Sequence, residues 1–289
     1  MKSAAVAPDG AAEPARSAVV CTELVGVRRG TFGWYALRSL PRVLWTLAHI
    51  ALGAVLLGLD DIGVDDAERA GFAAILGATT AAYWIAIALG PGVVSTNAEA
   101  NPELRWCEAC AVRQPLRSKH CRECGRCVRR YDHHCPWLGT CVGERNAVAF
   151  WCYLLLQVAT LGFGLAASVR AVARESAAAP LPASTRSAVV ALAVLCSVFA
   201  LMPCSLLCFH SWLLLTSQTT WEVASRERIT YLRDLHRDAL PFDAGPVRNL
   251  RRICTAPCGA PVEWRIERAT PPSGTPPPTL WRNAWWECC

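Results

Sequence analysis

The stretch from Cys107 to Cys141 reads CEACAVRQPLRSKHCRECGRCVRRYDHHCPWLGTC. It holds ten soft metal-ligand side chains: Cys107, Cys110, His120, Cys121, Cys124, Cys127, His133, His134, Cys135 and Cys141. A structural zinc site is closed, with four Cys or His ligands and no open position. Two such sites therefore leave one His and one Cys of the ten unused. The surplus pair falls in Asp132-His133-His134-Cys135, where a carboxylate, an imidazole and a thiol adjoin. C-x2-C steps let two thiolates reach one ion from a tight knuckle, and Cys107–Cys110, Cys121–Cys124 and Cys124–Cys127 are three of them. The segment has few apolar residues of its own, so metal binding supplies its folding free energy.

Outward from this stretch the chain turns apolar. Of its 289 residues 53% are hydrophobic and only 18% charged, a balance that points to a membrane protein. Long uncharged stretches run over Val43–Leu59, Ala70–Val94, Ala147–Val169 and Ser187–Thr220. A spanning helix needs about 20 apolar residues. The first stretch is short and borrows Leu40 and Pro41; the last exceeds one span and projects past the bilayer. The predicted fold is an all-α membrane protein of four transmembrane helices, with a cytosolic zinc-binding cysteine-rich domain of two zinc knuckles between helices 2 and 3.

Charge sets the orientation. Arginines crowd the N-terminal arm, the middle loop (Arg113 to Arg145) and the C-terminal part (Arg226 to Arg252), whereas Asp60, Asp61, Asp65, Asp66 and Glu68 mark the first short loop. The arginine-rich side, with both termini, is read as cytosolic. No secretory signal peptide is visible, so the first span is its own targeting signal. Thiols stay reduced in the cytosol, so the chain's 16 cysteines read as metal-binding or catalytic rather than as disulfides. The net charge of +6 lies along membrane-flanking segments and suits anionic lipid headgroups; no nucleic-acid role is needed. A transporter is a poor reading, because the apolar stretches carry no Asp, Glu, Lys or Arg.

These observations divide the chain into a cytosolic N-terminal arm (1–39), helices 1 and 2 with an acidic luminal loop (40–94), the cysteine-rich domain (95–146), helices 3 and 4 (147–220), a cytosolic C-terminal region (221–269) and a disordered Pro-rich tail (270–289). Residues 222–240 read as a charged helix. His49 and His210 lie in spans and take no assigned role.

Counting ligands does not say which His is spare. If the backbone is extended at Asp132–Cys135, side chains alternate faces; His133 then shares a face with Cys135, and His134 turns toward a metal. A thiolate is the reactive form of cysteine, and a neighbouring imidazole promotes it. A carboxylate on the far ring nitrogen fixes the imidazole's tautomer. Asp132, His133 and Cys135 supply these roles just before the third span, where thiol chemistry suits a substrate with a long apolar tail.

Asp132-His133-His134-Cys135-Pro136-Trp137 in this setting resembles the DHHC family of membrane protein S-acyltransferases (palmitoyltransferases). Pro115, Arg117, His120 and Cys121 match its P-x-R-x-x-H-C run, and Cys141, Asn146 and Phe150 its C-x4-N-x3-F close. Thr219-Thr220-Trp221-Glu222 matches its TTxE motif, and Phe242, Asp243, Gly245 and Asn249 its aromatic-D-x-G-x3-N element. The likeness covers roughly residues 40–255, and the layout is similar to that of the small Golgi and endoplasmic reticulum members. One departure stands out: Gly90-Pro91-Gly92 replaces the usual Asp-Pro-Gly.

The resemblance implies one structural Zn2+ on Cys107, Cys110, His120 and Cys127, and another on Cys121, Cys124, His134 and Cys141. It implies that Cys135 takes the acyl group of palmitoyl-CoA, with His133 as base oriented by Asp132, and passes it to cysteines of cytosolic-facing proteins near the membrane. Thr220 is then expected beside Asp132, with Glu222 and Asn249 as supporting residues. Arg117 and Lys119 are expected at CoA phosphates, and Trp137 along the acyl chain. Cys254, Cys258, Cys288 and Cys289 are open to lipidation. A zinc-binding membrane adaptor without catalysis is the alternative.

Overall fold

Asp65 starts the second long helix with a capping box: its side chain accepts from the Glu68 backbone N–H, and the Glu68 side chain accepts from the Asp65 backbone N–H. Such reciprocal bonds satisfy two otherwise orphaned donors. The computed structural model describes residues 32–58, 64–95, 104–175, 180–255 and 262–266. The N-terminal arm before residue 32, part of the acidic loop, Cys258 and the Pro-rich tail with Cys288 and Cys289 lie outside the described residues.

The order is α1 (Phe32–Gly58), α2 (Asp66–Leu89), β1 (Arg105–Cys107), β2 (Val112–Gln114), β3 (Lys119–Cys121), β4 (Arg126–Val128), β5 (His133–Cys135), β6 (Thr140–Val142), α3 (Ala147–Arg174), α4 (Ala183–Leu215), α5 (Thr220–Ala224) and α6 (Pro246–Thr255). Among the described residues, the four long helices are long and apolar enough to cross a membrane, as the uncharged stretches foretell. The cysteine-rich segment between α2 and α3 is three antiparallel hairpins, β1–β2, β3–β4 and β5–β6. Helix α3 packs on both α2 and α4. Polar groups inside the bundle find partners across helices: Thr79 bonds Thr160 at 2.8 Å, and His49 bonds Gln157 at 2.9 Å. Apolar surroundings provide no other partner for such groups.

The hairpins are bolted to the spans by backbone and asparagine bonds. Asn146 Nδ2 donates to the Ala86 and Cys141 carbonyls, and its Oδ1 accepts from the Gly143 N–H. The turn after α2 does similar work: the Gly92 carbonyl accepts from Arg129 N and the Val94 N–H donates to the Cys127 carbonyl. Gly90 there has φ 61° and ψ 173°, a region that only glycine enters cheaply. The departure from Asp at this position thus has a backbone reason.

One expectation fails. Residues 222–240 are not a continuous helix: α5 ends at Ala224, a short 3-10 turn covers Arg226–Arg228, and turns follow. Arg226 explains the fold-back, since its Nη2 donates to the carbonyls of His236 and Ala239. The helix α6 is tied to the end of α4 by Asn249, whose Nδ2 donates to the Leu215 carbonyl at 2.7 Å and to Asp243 Oδ1 at 2.6 Å.

Candidate active site

Each hairpin lends ligands to a neighbour. Cys107 and Cys110 come from the first hairpin and meet His120 and Cys127 of the second. Cys121 and Cys124, also of the second hairpin, meet His134 and Cys141 of the third. His120 and Cys121 are adjacent in β3, so the alternation of a strand sends one to each cluster. In the first cluster the three sulfurs lie 3.1, 3.6 and 3.9 Å from His120 Nδ1. In the second they lie 3.4, 3.6 and 3.7 Å from His134 Nδ1. A tetrahedron with Zn–S near 2.3 Å and Zn–N near 2.05 Å has S···N edges of roughly 3.6 Å. Both clusters therefore fit a four-coordinate Zn2+, with three thiolates and one imidazole each and no fifth donor among them. Gln114 Nε2 supports the first cluster with a 3.3 Å bond to Cys127 Sγ.

Cys135 belongs to neither cluster. Strand β5 places His133 and Cys135 on one face and His134 on the other, as the extended reading requires. His133 Nδ1 donates to Asp132 Oδ2 at 2.6 Å, and the neighbouring Cys135 also helps to raise the ring's pKa. Asp132 is held from a second direction: the Thr220 N–H donates to Oδ1 and the Thr220 hydroxyl to Oδ2, both at 2.8 Å. Burial alone would lower the His133 pKa and raise that of Asp132. The bond between them outweighs it, so His133 is pushed up to about 9 and Asp132 held down to about 2.

The Cys135 side chain is buried in an apolar cluster with Tyr83, Leu138, Phe150, Tyr153 and Leu154, against which Trp45 and Leu206 pack. All four long helices thus contribute side chains to this cluster. The loop after it is pinned from the spans, since Arg42 Nε donates to the Leu138 carbonyl and the Tyr83 hydroxyl to that of Trp137, each at 2.8 Å. The Trp137 side chain itself is exposed.

Glu222 and Arg117 form a closed pair. Arg117 Nε and Nη2 donate to the two Glu222 oxygens at 2.7 and 2.6 Å, and Nη2 also donates to the Ser217 carbonyl. Phe242 and Trp264 sandwich the guanidinium at 4.1 and 4.2 Å. Arg117, expected at CoA phosphates, is thus engaged inside the protein, with its side chain 0% exposed. Three buried side-chain atoms have no hydrogen-bond partner among the described residues: Arg117 Nη1, Arg130 Nε and Ser217 Oγ. Those three residues all have positive φ, at 66°, 39° and 52°. Burial and the neighbouring Arg117 push Arg130 down to about 10. Lys119, the other phosphate candidate, has its ammonium 3.1 Å from the Trp221 ring centroid and 4.7 Å from that of Tyr131. Burial lowers its pKa. Asn249 is buried and ties α6 to the end of α4 through the Leu215 carbonyl.

Two participants were missed from sequence. His210 of α4 comes within reach of Asp132 and His133; its signal was an ionisable side chain in an apolar stretch. Trp264 stacks on Arg117 and points its indole N–H at Glu144 Oε2; nothing local marked it. A cavity of about 630 Å³ lies beside Glu222, Arg226 and Arg237 and is lined by none of Asp132, His133 or Cys135.

A family model described as DHHC palmitoyltransferase matches residues 100–227. Palmitoyltransferase ZDHHC12 of Homo sapiens is 46% identical over 160 residues, covering 54% of this chain and 58% of that protein. Putative ZDHHC-type palmitoyltransferase 7 of Dictyostelium discoideum is 34% identical over 192 residues, covering 64% and 43%. Protein S-acyltransferase 10 of Arabidopsis thaliana is 37% identical over 153 residues, covering 53% and 43%. The matches span about half the length of these curated relatives. Two Cys3His clusters and an unligated Asp132–His133–Cys135 set thus lie inside the segment that matches the DHHC palmitoyltransferase family model.

Proposed function

We propose that the protein is an S-acyltransferase that moves a fatty acyl chain from acyl-CoA, palmitoyl-CoA in the first instance, to cysteine thiols of membrane-proximal cytosolic proteins. The observation that carries this reading is a thiol on the same strand face as a carboxylate-oriented imidazole, buried in a cluster to which four apolar helices contribute. His133 takes the Cys135 proton, and the thiolate attacks the thioester carbonyl. The carbonyl–sulfur bond to CoA breaks, and CoA leaves as its thiol with the proton from His133. In the second half, His133 takes the proton of the acceptor cysteine, whose sulfur attacks acyl-Cys135. Cys135 departs and recovers the proton. Atoms balance without any further reactant, and the two halves give ping-pong kinetics.

The zinc ions supply shape, not chemistry, since each cluster is closed. The acyl tail follows the apolar side chains from Cys135 into the bundle, with Trp137 at the rim. Lys119 remains the candidate for CoA phosphates, since its ammonium is held by aromatic faces that an anion can compete with; Arg117, fully buried and paired with Glu222, is not free to meet them. The hairpins, and with them both chain termini, face the cytosol of the Golgi or endoplasmic reticulum membrane, which agrees with the arginine placement.

The test mixes purified, zinc-loaded protein with palmitoyl-CoA and maps hydroxylamine-sensitive acyl groups. The adduct is expected at Cys135. Cys135→Ser is expected to keep two zincs per chain and lose the adduct. A zinc-loaded wild-type protein that forms no adduct at Cys135 is a tethered zinc adaptor instead.

A further inference from the structure

We propose that Asp132, His133 and His210 form a third metal site, separate from both Cys3His clusters, and that an exchangeable Zn2+ bound there switches the active site off. One donor atom from each residue lies within 4.8 Å of the other two. Asp132 and His210 are buried, and His133 is partly exposed, with 27% of its side chain accessible. The two imidazole rings are 5.7 Å apart between centroids, and the Phe150 ring packs against both, at 5.6 and 5.0 Å. Thr220 fixes the carboxylate with its two bonds. The donors are therefore arranged by neighbours rather than left mobile. Two imidazoles and one carboxylate are a donor set that Zn2+ and its first-row neighbours take readily, with a fourth position left to water.

His210 has no part in the acyl-transfer steps above, yet it comes from a different span and completes this set. An ion here takes a lone pair of Asp132 and a ring nitrogen of His133. Depending on which nitrogen it takes, it breaks the bond to Asp132 or occupies the nitrogen left to accept the Cys135 proton, and the base is lost either way. Displacing a formed hydrogen bond weakens the site, so it exchanges metal, whereas the thiolate-rich clusters retain theirs. The inhibitory consequence rests on the acyl-transfer reading; the metal count does not.

The experiment starts from full-length protein in nanodiscs carrying two zincs per chain. Free Zn2+ is buffered across a series, bound metal is counted, and acyl-adduct formation is measured in parallel. Binding of a third equivalent is expected, with adduct formation lost over the same range. His210→Gln and His210→Phe are expected to retain two zincs, lose the third, and shift inhibition at least tenfold toward higher Zn2+. No third equivalent, or one indifferent to both His210 variants, overturns the proposal. If both variants lose their structural zinc, Co2+ added to the zinc-loaded wild type decides. A d–d spectrum of nitrogen and oxygen ligation supports the site, and its absence sinks it. A wild type that binds a third zinc but never forms an adduct refutes the acyl-transfer reading alone.

Discussion

Thr220 reaches back 88 positions to Asp132 with two hydrogen bonds of 2.8 Å, one from its backbone N–H and one from its hydroxyl. The start of α5 thereby orients the carboxylate that holds His133. Thr220→Val keeps the volume and the backbone bond but removes the hydroxyl. Adduct formation is expected to fall about tenfold, a part of the ~10²–10⁴ that positioned acid–base groups contribute. Zinc content should not move. Unchanged single-turnover rates would show that the hydroxyl does not matter.

Glu222 neutralises the fully buried guanidinium of Arg117, accepts from the Thr219 backbone N–H and accepts from the Tyr231 hydroxyl. Glu222→Gln leaves that cation uncompensated. Breaking a buried pair in this way costs about 3–5 kcal/mol. A clear drop in thermal stability is expected, with partial recovery when Arg117→Met is added. A melting temperature equal to wild type would contradict the pairing.

The shifts of Asp132 and His133 set a pH window. His133 is raised from 6.5 to about 9, so its contribution to stability is complete below 6.5 and is lost as pH rises through about 9. Asp132 is lowered from 3.8 to about 2, so its contribution is complete above 3.8 and is lost as pH falls through about 2. The stability gap between wild type and His133→Gln should therefore shrink from pH 6 to pH 9.5. A gap that widens over that range would reverse the assignment.

Gly143 lies where the α2 turn crosses the second hairpin. A Cβ there would stand 2.7 Å from the Pro91 carbonyl oxygen, 2.8 Å from Val128 Cγ1 and 2.9 Å from the Arg129 carbonyl oxygen. Two of those neighbours are backbone and cannot swing aside. Gly143→Ala is expected to cost about 1–3 kcal/mol by overpacking. Denaturation midpoints measure it, and a neutral result would mean the crossing is looser than described.

Chelation separates the domain from the bundle. Strands of three residues paired in isolated hairpins do not persist alone. Stripping zinc is therefore expected to melt residues 104–146 and abolish adduct formation, while far-UV helicity of the spans is largely retained. Protease cleavage confined to the hairpins would mark the change; a protease-resistant apo form would deny the metal its structural role.

Much of this protein was legible one residue at a time. Uncharged stretches of bilayer length identified the spans, because the cost of burying charge in lipid is a local property of composition. Ligand arithmetic left one His and one Cys over, because tetrahedral zinc takes four donors and the ten in the stretch exceed two full shells; the Asp132–Cys135 motif pointed to which. The β5 alternation then separated His133 from His134. The charged run at 222–240 misled, because charge alone carries no helical stripe, and the carbonyl bonds of Arg226 decide the path there.

The tertiary structure alone decided the partners. Asp132 with Thr220, Arg117 with Glu222 and Trp264, and His210 beside His133 join residues roughly 80 to 150 positions apart. No periodicity or spacing encodes such pairs. They exist because packing four helices brings the ends of the second, third and fourth to one face of the zinc hairpins, and buried polar groups must find acceptors there or go unsatisfied.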